Sequence, residues 1–346
     1  MLDIINNINH KFSNKKKVYV IDLNNPQFSD KYNPFKNATP TVAKDMLINM
    51  TEWSEEHYKL NTERYVQRLI KMVYLLDENL SFRNIVKYME PNKFMKLSSS
   101  LLKSELITKD EHIENISLIE NSGKIVNGAY ARFSTIIESD IGTIFDDNGI
   151  DVYTAIKEKA IILFILNPLI YPELSPLMGR TVIIDSKKAI SRLFHKNISR
   201  SFFIFDEINV YASRPFLDLI NKSRSANVTC VLAAQSLSDL TSAVDEAFQE
   251  QIIENCNNYI VLRQNSSQNA ENWSKILGTR QTMEVTYQLQ QKGFNTGETG
   301  FGSAKRVREF LYHPDDIKTL KTGQAVYLSK DTNYHARIHV NNHLSL

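Results

Sequence analysis

Apolar runs that end in a polar residue, separated by helical stretches and interrupted once by a long strand-free block, predict an α/β fold carrying an inserted all-α domain. Three observations lead there. Ser201-Phe202-Phe203-Ile204-Phe205 runs without alternation into Asp206-Glu207, the pattern of a strand buried on both faces of a parallel sheet. Val18-Tyr19-Val20-Ile21-Asp22, Ala160 to Leu166 and Asn227 to Ser236 repeat that form. From Thr41 to Ile144 the period is helical and no β-rich run intervenes. Strands alternating with helices at this spacing imply right-handed crossovers, with helices on both faces of the sheet.

Taken in order, Ile4, Ile5, Ile8 and Phe12 stand at helical spacing, and Lys15-Lys16-Lys17 leads into the strand 18–22. Asn24-Asn25-Pro26 stops that strand, and Tyr32-Asn33-Pro34-Phe35 is extended because proline restricts the residue before it. Helices are expected from Thr41, over Tyr65–Leu76, over Ser81–Met89 with Ser81 as cap, over Leu97–Leu106 and over Ala129–Phe145. After the strand 160–166, Met178–Phe194 reads as a helix with an exposed basic side. Phe216–Arg224 and Phe248–Cys256 are helical, and Asn258–Arg263 is a strand. Residues 325–328 and 336–340 form a closing antiparallel pair. The expected division is 1–35 and 147–346 for the α/β domain, with 36–146 as the insertion.

Composition narrows the function classes. The 346 residues are 42% hydrophobic and 23% charged with a net charge of +2, an ordinary globular balance that gives no overall case for nucleic-acid binding. Cys230 and Cys256 lie within apolar or helical patterns, so buried, reduced thiols are expected and neither a disulfide framework nor a zinc motif is available. The eight histidines form no metal-ligand spacing, and no G-x-S-x-G elbow occurs. No apolar run reaches the roughly 18 residues that span a bilayer.

The chemistry gathers at strand ends. Parallel sheets place ligands at the carboxyl ends of their strands. Asp206 and Glu207 stand at such an end, as in the Walker B pattern, where Asp holds Mg²⁺ and Glu polarises the attacking water. The plainer reading is a strand ending in a polar turn. Gln235 ends the next strand and either senses a γ-phosphate or caps a turn through its amide. Arg224, closing the helix between those strands, is either a finger reaching a neighbouring subunit's nucleotide or a partner of the helix dipole. Arg263 is a further candidate of the first kind. Asn295–Ser303, rich in glycine and followed by Lys305, Arg306 and Arg308, reads as a basic loop against a phosphate backbone or as a plain connector. A phosphate loop G-x-x-x-x-G-K-[S/T] is absent, and Ser122-Gly123-Lys124-Ile125 is an incomplete approach to it.

Phe203–Glu207, Asn221-Lys222-Ser223-Arg224 and Val231–Leu240 together resemble the VirD4/TraG/TraD-type conjugative coupling proteins, ATPases of type IV secretion related to the FtsK/HerA translocases. Ile253–Val261, Val307–Phe310, His313–Ile317, and Val20–Asp22 with Tyr32–Phe35 extend the resemblance along most of the chain. It implies a RecA-like P-loop NTPase sheet with the all-α domain inserted between its strands. It also implies ATP and Mg²⁺ as cofactors, with Asp206 on the metal, Glu207 on the water, Gln235 on the γ-phosphate and Arg224 on the neighbour's nucleotide. Arg263 is assigned to the nucleotide as well. The implied partners are single-stranded DNA, relaxase and relaxosome proteins, the secretion channel, and further copies in a hexamer. Such a protein has a cytoplasmic motor domain anchored at the membrane. The sequence is expected to begin downstream of a Walker A segment and a membrane-spanning N-terminus, and alone not to hydrolyse ATP. Two other readings stand beside it: a non-hydrolysing module that docks DNA-processing partners, and a chromosomal FtsK/HerA-like translocase.

Overall fold

A computed structural model describes residues 2–11, 15–51, 53–76, 80–194, 200–292 and 295–341, with 287–292 and 295–303 described in backbone only. The chain forms two compact units, 1–234 and 235–346.

In the first unit, α1 (Leu2–Lys11) precedes β1 (Val18–Asp22); Phe12, expected to continue the helical spacing of Ile4, Ile5 and Ile8, lies outside the described residues. β1 pairs in parallel with β2 (Ile161–Ile165), Val18 facing Ile161 and Asp22 facing Ile165. Between them run α2 (Pro40–Asn49), α3 (Glu56–Leu75), α4 (Phe82–Met89), α5 (Pro91–Lys103) and α6 (Lys109–Glu138). Ser81 caps α4 as expected, its hydroxyl accepting from Asn84 N at 3.1 Å. The sequence reading placed a helix only from Ala129. Instead a Thr108–Glu111 capping box starts α6 twenty residues earlier, and the helix ends at Glu138 rather than Phe145. Over Glu114–Lys124 the buried places go to Asn115, Ser122 and Gly123 as well as Leu118, which hides the apolar period there, while the cap fixes the start.

One continuous core joins the helices to β1 and β2. Ile21 and Leu23 belong to it with Tyr65, Phe82, Phe94, Phe133 and Phe145. Tyr65 stacks on Phe94 with ring centroids 4.5 Å apart, and Tyr32 meets Phe164 edge-on at 5.1 Å.

α7 (Val152–Lys157), just ahead of β2, and α8 (Leu174–Leu193), after it, complete this part of the unit. The expected exposed basic side of α8 needs correction, because Lys188 is buried. Its Nζ donates to Pro34 O and Lys36 O at 2.7 Å each and to Asp151 Oδ2 at 3.1 Å. These three bonds use all three ammonium protons. Asp185 Oδ1 lies 2.9 Å away as a further ion-pair partner. The Oδ2 of Asp185 accepts from Tyr32 Oη at 2.9 Å and from Val152 N at 3.0 Å. One buried cluster therefore ties together the strand exit at 32–36, the start of α7, and α8.

β3 (Ser201–Phe205) and β4 (Val228–Leu232) form a second parallel ladder, separate from β1–β2, with α9 (Arg214–Ser223) crossing between them. The continuous apolar run predicted burial on both faces of β3, and the structure corrects this. Phe205 is buried against Phe216 of α9, at 4.9 Å between ring centroids, whereas Phe202 is 61% and Ile204 71% exposed. Helix α9 covers one face of the ladder; the other, with Phe202, Ile204 and Val231, is open.

The second unit holds α10 (Leu237–Ala243), α11 (Glu246–Asn255), β5 (Asn258–Val261), α12 (Ser267–Leu277), β6 (Thr279–Lys292), β7 (Asn295–Phe310), α13 (Pro314–Lys318), β8 (Gln324–Ser329) and β9 (Tyr334–His339). The closing antiparallel pair is present as β8–β9, and β5 joins it in the order β5-β8-β9. Tyr259, Leu277, Ile317 and Val326 centre the core of this unit. The stretch 295–303 is a strand rather than a loop, paired with β6 in a long antiparallel hairpin that the sequence reading missed. Glutamines and glycines there mask the alternation that marks a strand. Cys230 and Cys256 form no disulfide among the described residues and are only half-buried, not the buried thiols expected.

Candidate functional site

The Asp206-Glu207 pair leaves the carboxyl end of β3, and Ala233-Ala234 leaves the matching end of β4, since Phe205 faces Leu232 in register. Two backbone bonds extend the ladder past the strand ends: Ala233 N donates to Phe205 O at 2.8 Å and Ile208 N donates to Ala233 O at 3.1 Å. Between them the chain turns sharply. Glu207 adopts φ 49° and ψ 51°, the left-handed conformation that disfavours any residue with a Cβ. Its amide donates to its neighbour's carboxylate, Asp206 Oδ1, at 3.1 Å. Strain of this kind costs on the order of 1–3 kcal/mol and persists only where the surroundings enforce it.

Tyr211 does the enforcing. Its hydroxyl donates to Asp206 O at 2.7 Å, and burial, followed by the charges of Asp206 and Glu207, holds its phenol well above the ordinary range and so protonated. The ring lies against α8 at Gly179, where an added Cβ would come within 2.5 Å of Tyr211 Cβ. Sequence reasoning missed both residues. Only the glycine inside a helical pattern signalled a close approach. Both carboxylate side chains are exposed, and beside them Asn209 Oδ1 and Ser213 Oγ are buried without a hydrogen-bond partner among the described residues.

The other expected residues are placed differently. Arg224 is exposed just after α9, which runs back to the amino ends of β3 and β4, so this chain does not bring it to Asp206 and Glu207. Gln235 follows β4 by three residues and opens the second unit, immediately ahead of Ser236, the cap of α10. Arg263 is exposed beyond β5, in the separate three-stranded sheet.

An Asp-Glu pair on a strained strand tip, with neighbouring acceptors unsatisfied, suits a hydrated cation and an oriented water. The phosphate side of a nucleotide has no such fit. Ser122-Gly123-Lys124 lies inside α6 with Ser122 and Gly123 buried, so its amides are committed to the helix. Among the described residues no group of three or more His, Cys, Asp or Glu side chains is arranged to hold a metal.

Residues 200–322 match the family model described as the TraM recognition site of TraD and TraG. This segment is of the TraG/TraD type. The resemblance to the VirD4/TraG/TraD-type coupling proteins is borne out by that match and by the fold. The conjugative coupling protein TrwBΔN70 in unbound form superposes with a TM-score of 0.68 at 16% identity, over 93% of this chain and 73% of that one. TrwB in complex with ADP and Mg²⁺ gives 0.66 at 16% identity, over 93% and 73%. VirB4 of Thermoanaerobacter pseudethanolicus gives 0.51 at 10%, over 93% and 76%. The fold is thus the RecA-like one expected. An uncharacterized protein of Mycoplasma pneumoniae is 25% identical over 121 residues, 35% of this chain and 78% of its own length. No helix of the described residues is long and apolar enough to cross a membrane.

Proposed function

We propose that this chain is the motor portion of a conjugative coupling protein, with 36–146 as an all-α domain inserted into the RecA-like domain. In this reading Asp206 holds Mg²⁺ and Glu207 orients the attacking water. Gln235 senses the γ-phosphate from the next strand end, Arg263 contributes to the nucleotide, and Arg224 serves a neighbouring copy in a ring of six. The ring drives single-stranded DNA with its relaxase toward a type IV secretion channel at the membrane. A relaxosome protein docks on the TraG/TraD-type segment. The observation carrying the proposal is the left-handed Glu207, an acid held at energetic cost on the tip of an apolar parallel strand.

No stretch of these 346 residues supplies a G-x-x-x-x-G-K-[S/T] phosphate cradle, and this makes the reading testable. The chain alone is expected to bind Mg-ATP weakly and not to turn it over. Placing a strand–loop–helix segment with G-x-x-x-x-G-K-[S/T] ahead of Met1 is expected to restore Mg-ATP binding in calorimetry, together with ATPase activity. In that restored protein Glu207→Gln is expected to abolish turnover and spare binding. Absence of Mg-ATP binding after restoration would sink the motor reading, and turnover surviving in Glu207→Gln would sink the role given to that residue.

A further inference from the structure

The β6–β7 hairpin takes no part in the carboxylate site, and its two faces differ. Residues opposite one another in an antiparallel ladder share a face. Arg280–Glu309, Thr282–Val307 and Glu284–Lys305 therefore lie on one side, and Gln281–Arg308, Met283–Arg306 and Val285–Ala304 on the other. Both acids of these rungs, Glu284 and Glu309, fall on the first side, each opposite a basic residue. The second side has two arginines and no acid. It is well exposed: Met283 is 63% exposed, and Gln281, Arg306 and Arg308 are exposed too; on the first side the charged Arg280, Glu284, Lys305 and Glu309 are also exposed, with Thr282 and Val307 between them half-buried. Neither arginine is in an ion pair or hydrogen bond with the described residues. None of these rungs belongs to the core of the second unit. A two-stranded ribbon is marginally stable at best in water, so such an arm gains from a partner along its face.

We propose that this face, formed by Gln281, Met283, Val285, Ala304, Arg306 and Arg308, docks duplex DNA, with Arg306 and Arg308 neutralising phosphates. Successive same-face residues of a strand stand about 7 Å apart, so the two guanidinium groups reach separate phosphates. A two-stranded ribbon fits the major groove, which is about 12 Å wide. A single-strand platform stacks bases on aromatic rings, and these rungs carry none. Gln281, Met283 and Val285 provide the polar and apolar surface that lies against the groove. The inference relies on the coupling-protein reading only for the presence of DNA.

The test uses the full chain and fluorescence anisotropy, with a labelled duplex of roughly 30 base pairs and a single strand of the same length, across about 50 to 200 mM salt. Arg306→Ala with Arg308→Ala is expected to weaken duplex binding about tenfold or more and to lower the slope of log affinity against log salt by about 2. Replacing both arginines by lysine is expected to keep the slope. Glu284→Gln with Glu309→Gln, on the opposite face, is expected to leave duplex binding undiminished. The proposal is overturned if the unmodified chain fails to bind the duplex, if the alanine pair leaves affinity and slope unchanged, or if it weakens the single strand more than the duplex. It is also overturned if the alanine pair abolishes capture of an acidic relaxosome protein while duplex binding stays intact, which assigns the face to a protein. None of these outcomes touches Mg-ATP binding after phosphate-loop restoration, so failure here is separable from failure of the motor reading.

Discussion

At the scale of single residues, the strand tip and the buried lysine are held by different physics. The tip is a conformational cost: Glu207 keeps a Cβ where glycine would be unstrained. Glu207→Gly is therefore expected to be more stable than Glu207→Ala by about 1 kcal/mol in urea unfolding, since both lack the carboxylate and only alanine retains the strain. Equal stabilities would mean the turn is not enforced. Lys188 is an electrostatic matter. Its side chain and those of Asp151 and Asp185 are almost wholly buried, so Lys188→Met leaves two carboxylates without their cation and should cost about 3–5 kcal/mol. Burial raises the pKa of Asp185 above 3.8, a rise opposed by Lys188 and reinforced by Asp151. The native state therefore keeps this proton at pH values where the unfolded chain has released it. Stability from this group is fully present below pH 3.8 and falls as pH rises toward its native pKa. Subtracting the stability–pH curve of Asp185→Asn from that of the parent should reveal the decline, and a flat difference would refute it. The acids at the tip were legible from sequence because chemistry resides in their type and position. Tyr211, Gly179 and the buried environment of Asp185 were not, since each depends on what another element brings against it.

Single elements show where periodicity suffices and where it misleads. β1, β2, α4 and the β8–β9 pair lie close to where pattern and caps place them, because each has a local signal that no tertiary contact overrides; β4 is present but stops at Leu232, short of the expected Ser236, so Gln235 follows the strand rather than ending it. α6 exceeds its apolar period because a capping box nucleates it, and β6–β7 escapes notice because polar and apolar residues mix on both of its faces, leaving no clear alternation. β3 is the instructive failure. Its five residues predict burial on two sides, yet α9 covers only one. Truncating on the covered side, Phe205→Ala, is expected to cost about 3–5 kcal/mol, whereas Phe202→Thr or Ile204→Thr should change stability by no more than about 0.5 kcal/mol. Urea denaturation distinguishes these outcomes, and a large loss for Phe202→Thr would mean the open face is covered in solution.

For the whole molecule, the sequence suggested an insertion in one α/β domain, and the contacts resolve units that divide just before Gln235. Each has its own apolar core, one centred on Tyr65 and Phe82, the other on Tyr259 and Val326. Calorimetry is expected to resolve two transitions, with Lys188→Met lowering one and leaving the other in place; a single transition displaced as a whole would contradict the division. The pattern of residues could not reveal this boundary because no proline, glycine or charge run marks it. Within the first unit, α8 has a consequence of a mechanical kind. It is a rod of 20 residues, about 30 Å long. Near one end Gly179 seats the tyrosine that fixes the Asp206 carbonyl, and near the other Lys188 grips the main chain where it enters the helical segment. Both grips act on one stiff body with no loop between them to absorb motion. A push on the root of the helices is thereby delivered to the acidic strand tip as a displacement of the same lever.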